Sequence, residues 1–292
     1  MLMTSGYIAV LGGLGLLYLS AVYREFLSGS SFAPEIGLTA FVLMAVVQLL
    51  GIAFVTPAIS AGAISGEHER QTFDLLWCTS LKPAGIILGK LFASVAYLLF
   101  VMLASTPVYT IMFFFGGLAP GAVALMVLLY VASGLTYSAI GIVFSTLTRR
   151  TTFATILTYS TVVFLLVGTL VISGIQWNFL MRKPALATQP WVLPPKLLYL
   201  NPIVALLSAL PGFGGGSLPL PFSLGRVTPV LMYHGSAPPP PAPVLWPAWQ
   251  YHLVMDGVII VACVAAAIWL VNPTRQIGRS GLARLRGERV TT

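Results

Sequence analysis

Between Leu91 and Thr148 the chain runs for 58 residues without one charged side chain. A membrane span needs about 20 apolar residues, so this run is too long for one span and right for two. Gly116-Gly117 and Pro120-Gly121 place the turn between them. The rest of the chain follows suit. Of its 292 residues 58% are hydrophobic and only 8% charged, where a soluble domain carries about 25% charged residues. A chain this poor in charge cannot cover a water-facing surface. It is an integral membrane protein.

Four further apolar stretches complete the pattern: Met1–Tyr23, Ile36–Gly66, Thr151–Met181 and Pro247–Val271. The first lacks a basic leading region, so it reads as a span rather than a signal peptide. The expectation is one all-α membrane domain with six transmembrane helices, at about 3–23, 37–63, 84–114, 120–147, 152–177 and 249–271. Pro57 should kink the second span. Trp177 suits the far interface, and Trp246, Trp249 and Tyr251 form an aromatic belt at the entry to the sixth span. The long segment 178–248 is rich in proline and glycine and reads as an extracytoplasmic loop. Within it, Leu197–Leu210 is apolar but too short to span, which fits an interfacial or re-entrant helix. The tail 272–292 is basic.

The charges set the orientation. With both termini inside, ten of the fifteen Lys and Arg residues lie on the inner side, as the positive-inside rule requires. The same placement argues against nucleic acid, because no basic face with interleaved aromatics appears on a soluble segment. The arginine tail suits anionic membrane lipids. Cys78 and Cys263 fall in different environments and imply no disulfide framework.

Between the second and third spans lies an unusually polar segment, Ile64 to Lys90. Ser65 is the expected N-cap of a short helix over about 65–82, and Glu67 and Glu69 favour its positive end. Phe73, Leu76, Trp77 and Leu81 share one face at helical spacing, and Pro83 opens the next helix. The run Glu67-His-Glu-Arg70, Thr72, Asp74-Leu-Leu76, Thr79-Ser-Leu81-Lys-Pro83 and Gly89-Lys90 resembles the first cytoplasmic loop of ABC transporter permeases of the ABC-2 type. Gln71, Ser80 and Lys82 depart from that pattern, at positions where Gly, Pro and Ser are common.

The resemblance implies a permease subunit of an exporter in the cytoplasmic membrane of a prokaryote. It implies a second permease, identical or homologous, and two copies of a separate ABC ATPase that bind ATP and magnesium. The polar segment would be the coupling helix, docking through Glu67, Glu69, Arg70, Thr72, Phe73, Asp74, Leu76 and Trp77. The second and fifth spans would line the substrate path, with Gln48, Thr56 and Ser60 on one and Thr151, Thr155 and Thr158 on the other. Those polar stripes carry no charge, so they suit an amphipathic or hydrophobic cargo. Packing is the competing reading, since hydroxyls and amides between spans commonly act as glue. The small pairs Gly134/Ser138 and Gly141/Ser145 also read as packing.

No catalytic or cofactor site is expected on this chain. Gly85-Ile-Ile-Leu-Gly89-Lys90-Leu91 has one residue too few between its glycines for a phosphate-binding loop, and Leu where a hydroxyl must meet magnesium. His68, His234 and His252 show no metal-ligand spacing. A serine-histidine intramembrane protease is set aside on the ground that no histidine lies within a span to serve Ser105, Ser133 or Ser145. The rival function is a secondary transporter or channel without an ATPase, which would keep ionisable residues at mid-membrane; the sequence reads as having essentially none there.

Overall fold

The computed structural model describes residues 2–27, 34–72, 83–115, 120–148, 150–182, 191–192, 195–210, 230–231 and 246–271. The chain forms α1 (Leu2–Leu27), α2 (Pro34–Ser60), the short α3 (Ser65–Glu69), α4 (Pro83–Phe115) and α5 (Pro120–Leu147). A continuous helix follows, made of α6 (Thr151–Val163), a wide π turn (Phe164–Gly168) and α7 (Thr169–Met181). A 3-10 turn (Lys196–Leu200), α8 (Pro202–Ala209) and α9 (Ala248–Val271) complete it. Proline opens α2, α4, α5 and α8, where its missing N–H costs nothing and its fixed φ suits the first turn. Five helices among the described residues are long and apolar enough to cross a membrane. Inside a bilayer only such internally bonded elements satisfy every backbone group. One short exception to the helical architecture is an antiparallel pair, Trp191–Val192 with Val230–Leu231, in the long loop.

Helix α5 is the centre. It packs against α9, α2, α4, α6 and α8. Its small residues allow the approach. A Cβ on Gly134 would lie 2.6 Å from the Leu98 side chain of α4 and 3.4 Å from Ile52 of α2. One on Gly141 would collide with the Ser60 hydroxyl. So the face of α2 that carries Ile52, Thr56 and Ser60 is locked into the small-residue face of α5, the close contact that lipid-embedded helices use. In the most apolar stretches of α2 and α5 56% of the residues are buried, against 22% for α6–α7 and 17% for α9. The last two are therefore the least enclosed of these four.

The wide turn answers a problem of period. The buried positions along the fifth apolar helix include Ala154, Thr158, Val162, Leu166, Thr169, Ser173 and Trp177. All but one of those steps are four residues. An α-helix turns in about 3.6 residues, so so many fours would walk the face away from the core. One π turn takes up the surplus and keeps the outer half facing inward. Trp177, expected at the far interface, is accordingly buried against the protein.

That turn is also bonded from outside. The Asn201 amide nitrogen donates toward the carbonyls of Leu165 and Leu166 and the Thr169 hydroxyl, at 3.1, 2.6 and 2.7 Å. Its side-chain oxygen accepts from the Ile203 and Val204 N–H groups and so caps α8. Helix α8 buries Val204, Ala205, Leu206 and Leu207 in the main core, beside Leu49, Leu129 and Leu198. The short helix expected within Leu197–Leu210 is thus packed into protein on this side.

Candidate functional site

The corner between α2 and α4 carries six charged residues, Glu67, Glu69, Arg70, Asp74, Lys82 and Lys90. Helix α2 runs through Pro57 to Ser60, and a turn over 61–64 leads into α3. Ser65 is not the cap of this helix. Ile64 holds the N-cap position with no side-chain cap. The Ser65 hydroxyl instead donates back to the Ala61 carbonyl at 3.0 Å. The free N–H groups are served from another helix: Ser145 of α5 accepts from Ile64 N and Ser65 N at 2.8 and 2.9 Å. All three residues are at most 1% exposed, so only a neighbouring helix, and not water, can satisfy them.

Each glutamate of the corner holds a different helix. Glu67 pairs with Lys90 of α4 at 2.6 Å. Glu69 accepts from the backbone N–H of Thr151 at 2.8 Å and from its hydroxyl at 2.9 Å. Arg150, the N-cap of α6, offers no side-chain cap, so Glu69 supplies one from outside, at the end of the helix where the dipole favours an anion. The Thr151 N–H, then its hydroxyl, then the Arg150 charge hold the Glu69 carboxyl below the usual carboxylate range.

Arg70, Gln71 and Thr72 are exposed beyond α3. Gln71 has φ of 57°, the left-handed conformation that ends helices and that glycine adopts without strain. The departure from glycine in the sequence thus falls on the one non-glycine residue with positive φ among those described. Phe73, Asp74, Leu76, Trp77 and the rest of the expected 65–82 helix lie outside the described residues.

The two polar stripes divide by burial. Gln48, Thr56, Ser60 and Thr158 are all at most 3% exposed. Ser60 donates to the Thr56 carbonyl and Thr158 to that of Ala154, each one turn back along its own helix. Thr155 does the same to Thr151 but is only half-buried, like Thr151 itself. Tyr159 of α6 reaches the Phe54 carbonyl of α2 at 2.6 Å, beside Pro57.

Two expectations about ionisable groups are corrected. His252 and Asp256 both lie inside α9 and are buried. They escaped the sequence reading because two isolated ionisable residues hardly dent an apolar run. The His252 ring touches Ser133 of α5, with Nε2 3.2 Å from Oγ. This trio is still no hydrolase. Asp256 Oδ2 faces the same Nε2, at 3.3 Å, whereas a catalytic triad needs its carboxylate on the nitrogen opposite the serine.

A family model described as ABC-2 family transporter protein matches residues 5–271. No curated protein matches the chain.

Proposed function

Because that match takes in nearly the whole chain, the protein belongs to the ABC-2 transporter family, and we propose that it is the permease subunit of an ATP-driven exporter. The membership makes it a multi-pass membrane protein and a transport subunit. The further reading has six spans, α1 being the first, with both termini in the cytoplasm of a prokaryote. A separate ATPase, present in two copies and carrying the ATP and magnesium, docks on the corner after α2. A second permease, identical or homologous, completes the assembly.

One observation carries this reading. The corner is bonded to the ends of three membrane helices at once: α5 through Ser145, α4 through Lys90 and α6 through Thr151. A push on the corner is delivered to all of them. Arg70 and Thr72 are exposed beyond it; Phe73, Asp74, Leu76 and Trp77 follow in the sequence, and aromatic and charged anchors commonly dominate such interfaces. Glu67 and Glu69 act as the inner side of the joint, tying it to the membrane helices. The substrate path runs by the part-exposed hydroxyls Thr151 and Thr155. Gln48, Thr56, Ser60 and Thr158 stand behind it and fix α2 and α6 in the protomer. A path without charge suits an amphipathic or hydrophobic cargo.

The test is the Arg70→Ala/Asp74→Ala double variant, co-expressed with the partner ATPase. It should insert normally but bind the ATPase at least tenfold more weakly and export less. Undiminished binding and transport would remove the docking assignment. ATP-independent transport by the purified chain in vesicles would favour a secondary carrier or channel instead.

A further inference from the structure

The polar cluster between α5 and α9 has no part in the docking and path just described. His252 and Asp256 stand one turn apart on α9, on one face, and are 3% and 4% exposed. Facing them, Ser133, Thr136 and Tyr137 stand on one face of α5, and all are buried. Ser133 Oγ lies 3.2 Å from His252 Nε2. The Thr136 hydroxyl, which bonds the Ala132 carbonyl, also reaches Asp256. The histidine ring faces the backbone carbonyls of Tyr199 and Leu200 in the 3-10 turn. Yet Tyr137 Oη, Asp256 Oδ2 and His252 Nδ1 close no hydrogen bond among the described residues. The site thus holds an imidazole and a carboxylate together away from solvent, with His252 Nε2 3.3 Å from Asp256 Oδ2.

We propose that His252 and Asp256, walled by Ser133, Thr136 and Tyr137, form a buried proton-binding site that holds one shared proton while α5 and α9 are packed together. The argument is one of charge. With one proton beyond a neutral imidazole and a bare carboxylate, the pair is neutral overall, whichever residue carries it. With none or with two, a lone charge remains in a site sealed from bulk solvent, which is costly. No other charge among the described residues is placed to compensate. Tyr199, on the 3-10 turn, stacks on Tyr251 of α9, with ring centroids 4.9 Å apart. On α4 Lys90 is held by Glu67 at the corner, and the other titratable group whose side chain is described is Tyr97. Lys196 is exposed, α8 has no titratable residue, and α9 adds only Cys263. In water the separate residues would hold no such proton above the ordinary histidine pKa of about 6.5. Parting α5 from α9 at neutral pH therefore releases one proton, and closing them takes one up.

Two measurements on the full-length chain in phosphatidylcholine–phosphatidylglycerol vesicles decide the matter, and neither depends on transport. The first is nuclear magnetic resonance at pH 8 on protein labelled in histidine nitrogen and aspartate carboxyl carbon. Asp74 and Asp256 are the only aspartates, so Asp74→Asn isolates the Asp256 signal. The expected result is an imidazolium at His252 or a protonated carboxyl at Asp256. A neutral imidazole beside a bare carboxylate overturns the proposal. The second is equilibrium unfolding in mixed micelles from pH 6.5 to 8.5. The folded pair keeps its proton there and the unfolded pair loses it, so stability falls as pH rises. The folded-to-unfolded ratio should drop by up to tenfold per pH unit more in the wild type than in Asp256→Asn. Equal slopes overturn the proposal. Should Asp256→Asn not fold, the resonance measurement on the Asp74→Asn protein still decides.

Discussion

Ser145 shows how much one hydroxyl can hold. It accepts from two buried backbone N–H groups in a turn some eighty residues earlier in the chain. Orphaning a buried donor costs about 1–3 kcal/mol, so Ser145→Ala should destabilise the protein by at least about 2 kcal/mol, read as a lowered unfolding midpoint in detergent. Glu69 gives a pH signature at the same joint. Its carboxyl is held below the ordinary range, so its contribution is fully present above the ordinary value of about 4.3 and is lost as pH falls through the lowered one. Glu69→Gln should therefore lower stability at neutral pH, where that contribution is present, and flatten part of the acid-side loss, while weakening the coupling of ATP hydrolysis to transport. The sequence reading had both residues in view, Ser145 as a small packing residue and Glu69 as a docking charge. What it could not see was the partner, because a bond across eighty residues leaves no local pattern. Ser65 erred for a related reason: a serine before an acidic turn is a sound capping signal, but the hydroxyl of another helix had already taken the site.

At the scale of elements, the periodic features were legible and the irregular ones were not. Long charge-free runs declare apolar helices, and proline marks where several of them begin. The wide turn in the fifth apolar helix has no such mark, since Phe164-Leu-Leu-Val-Gly168 reads like any other apolar stretch. Only the surplus of four-residue steps betrays it, and those steps can be counted only once burial is known. Asn201 was half legible. Asn-Pro is a good start signal for a helix, but nothing near it points to carbonyls 35 residues away. Asn201→Ala removes a cap worth about 1 kcal/mol and leaves buried groups unpaired at about 1–3 kcal/mol. We expect a loss of about 3 kcal/mol, and cysteine cross-links between α8 and α7 should form less selectively as the two elements come apart. An unchanged melting profile would mean that α8 is seated by its apolar face alone.

For the whole molecule, the charge pattern predicts that the corner after α2 lies in the cytoplasm. An impermeant thiol reagent should reach Cys78 in inside-out vesicles and not in intact cells; labelling of intact cells would invert the arrangement. The family membership was legible from fewer than thirty residues of the corner, because a polar segment between two apolar spans carries a pattern of residue types that can be read locally. The buried His252 and Asp256 were lost in the average of an otherwise apolar helix, and averages are what composition reports. The order of synthesis adds one more consequence of the corner. Ile64, Ser65 and Glu69 leave the ribosome some eighty residues before Ser145 and Thr151. At about 5–20 residues per second they wait on the order of ten seconds for their partners. At the membrane edge that delay is cheap, since water can serve each exposed N–H and carboxylate in the meantime. The same joint at mid-bilayer would leave them unserved throughout. A long-range joint of this kind can be assembled late only where the nascent chain is still wet.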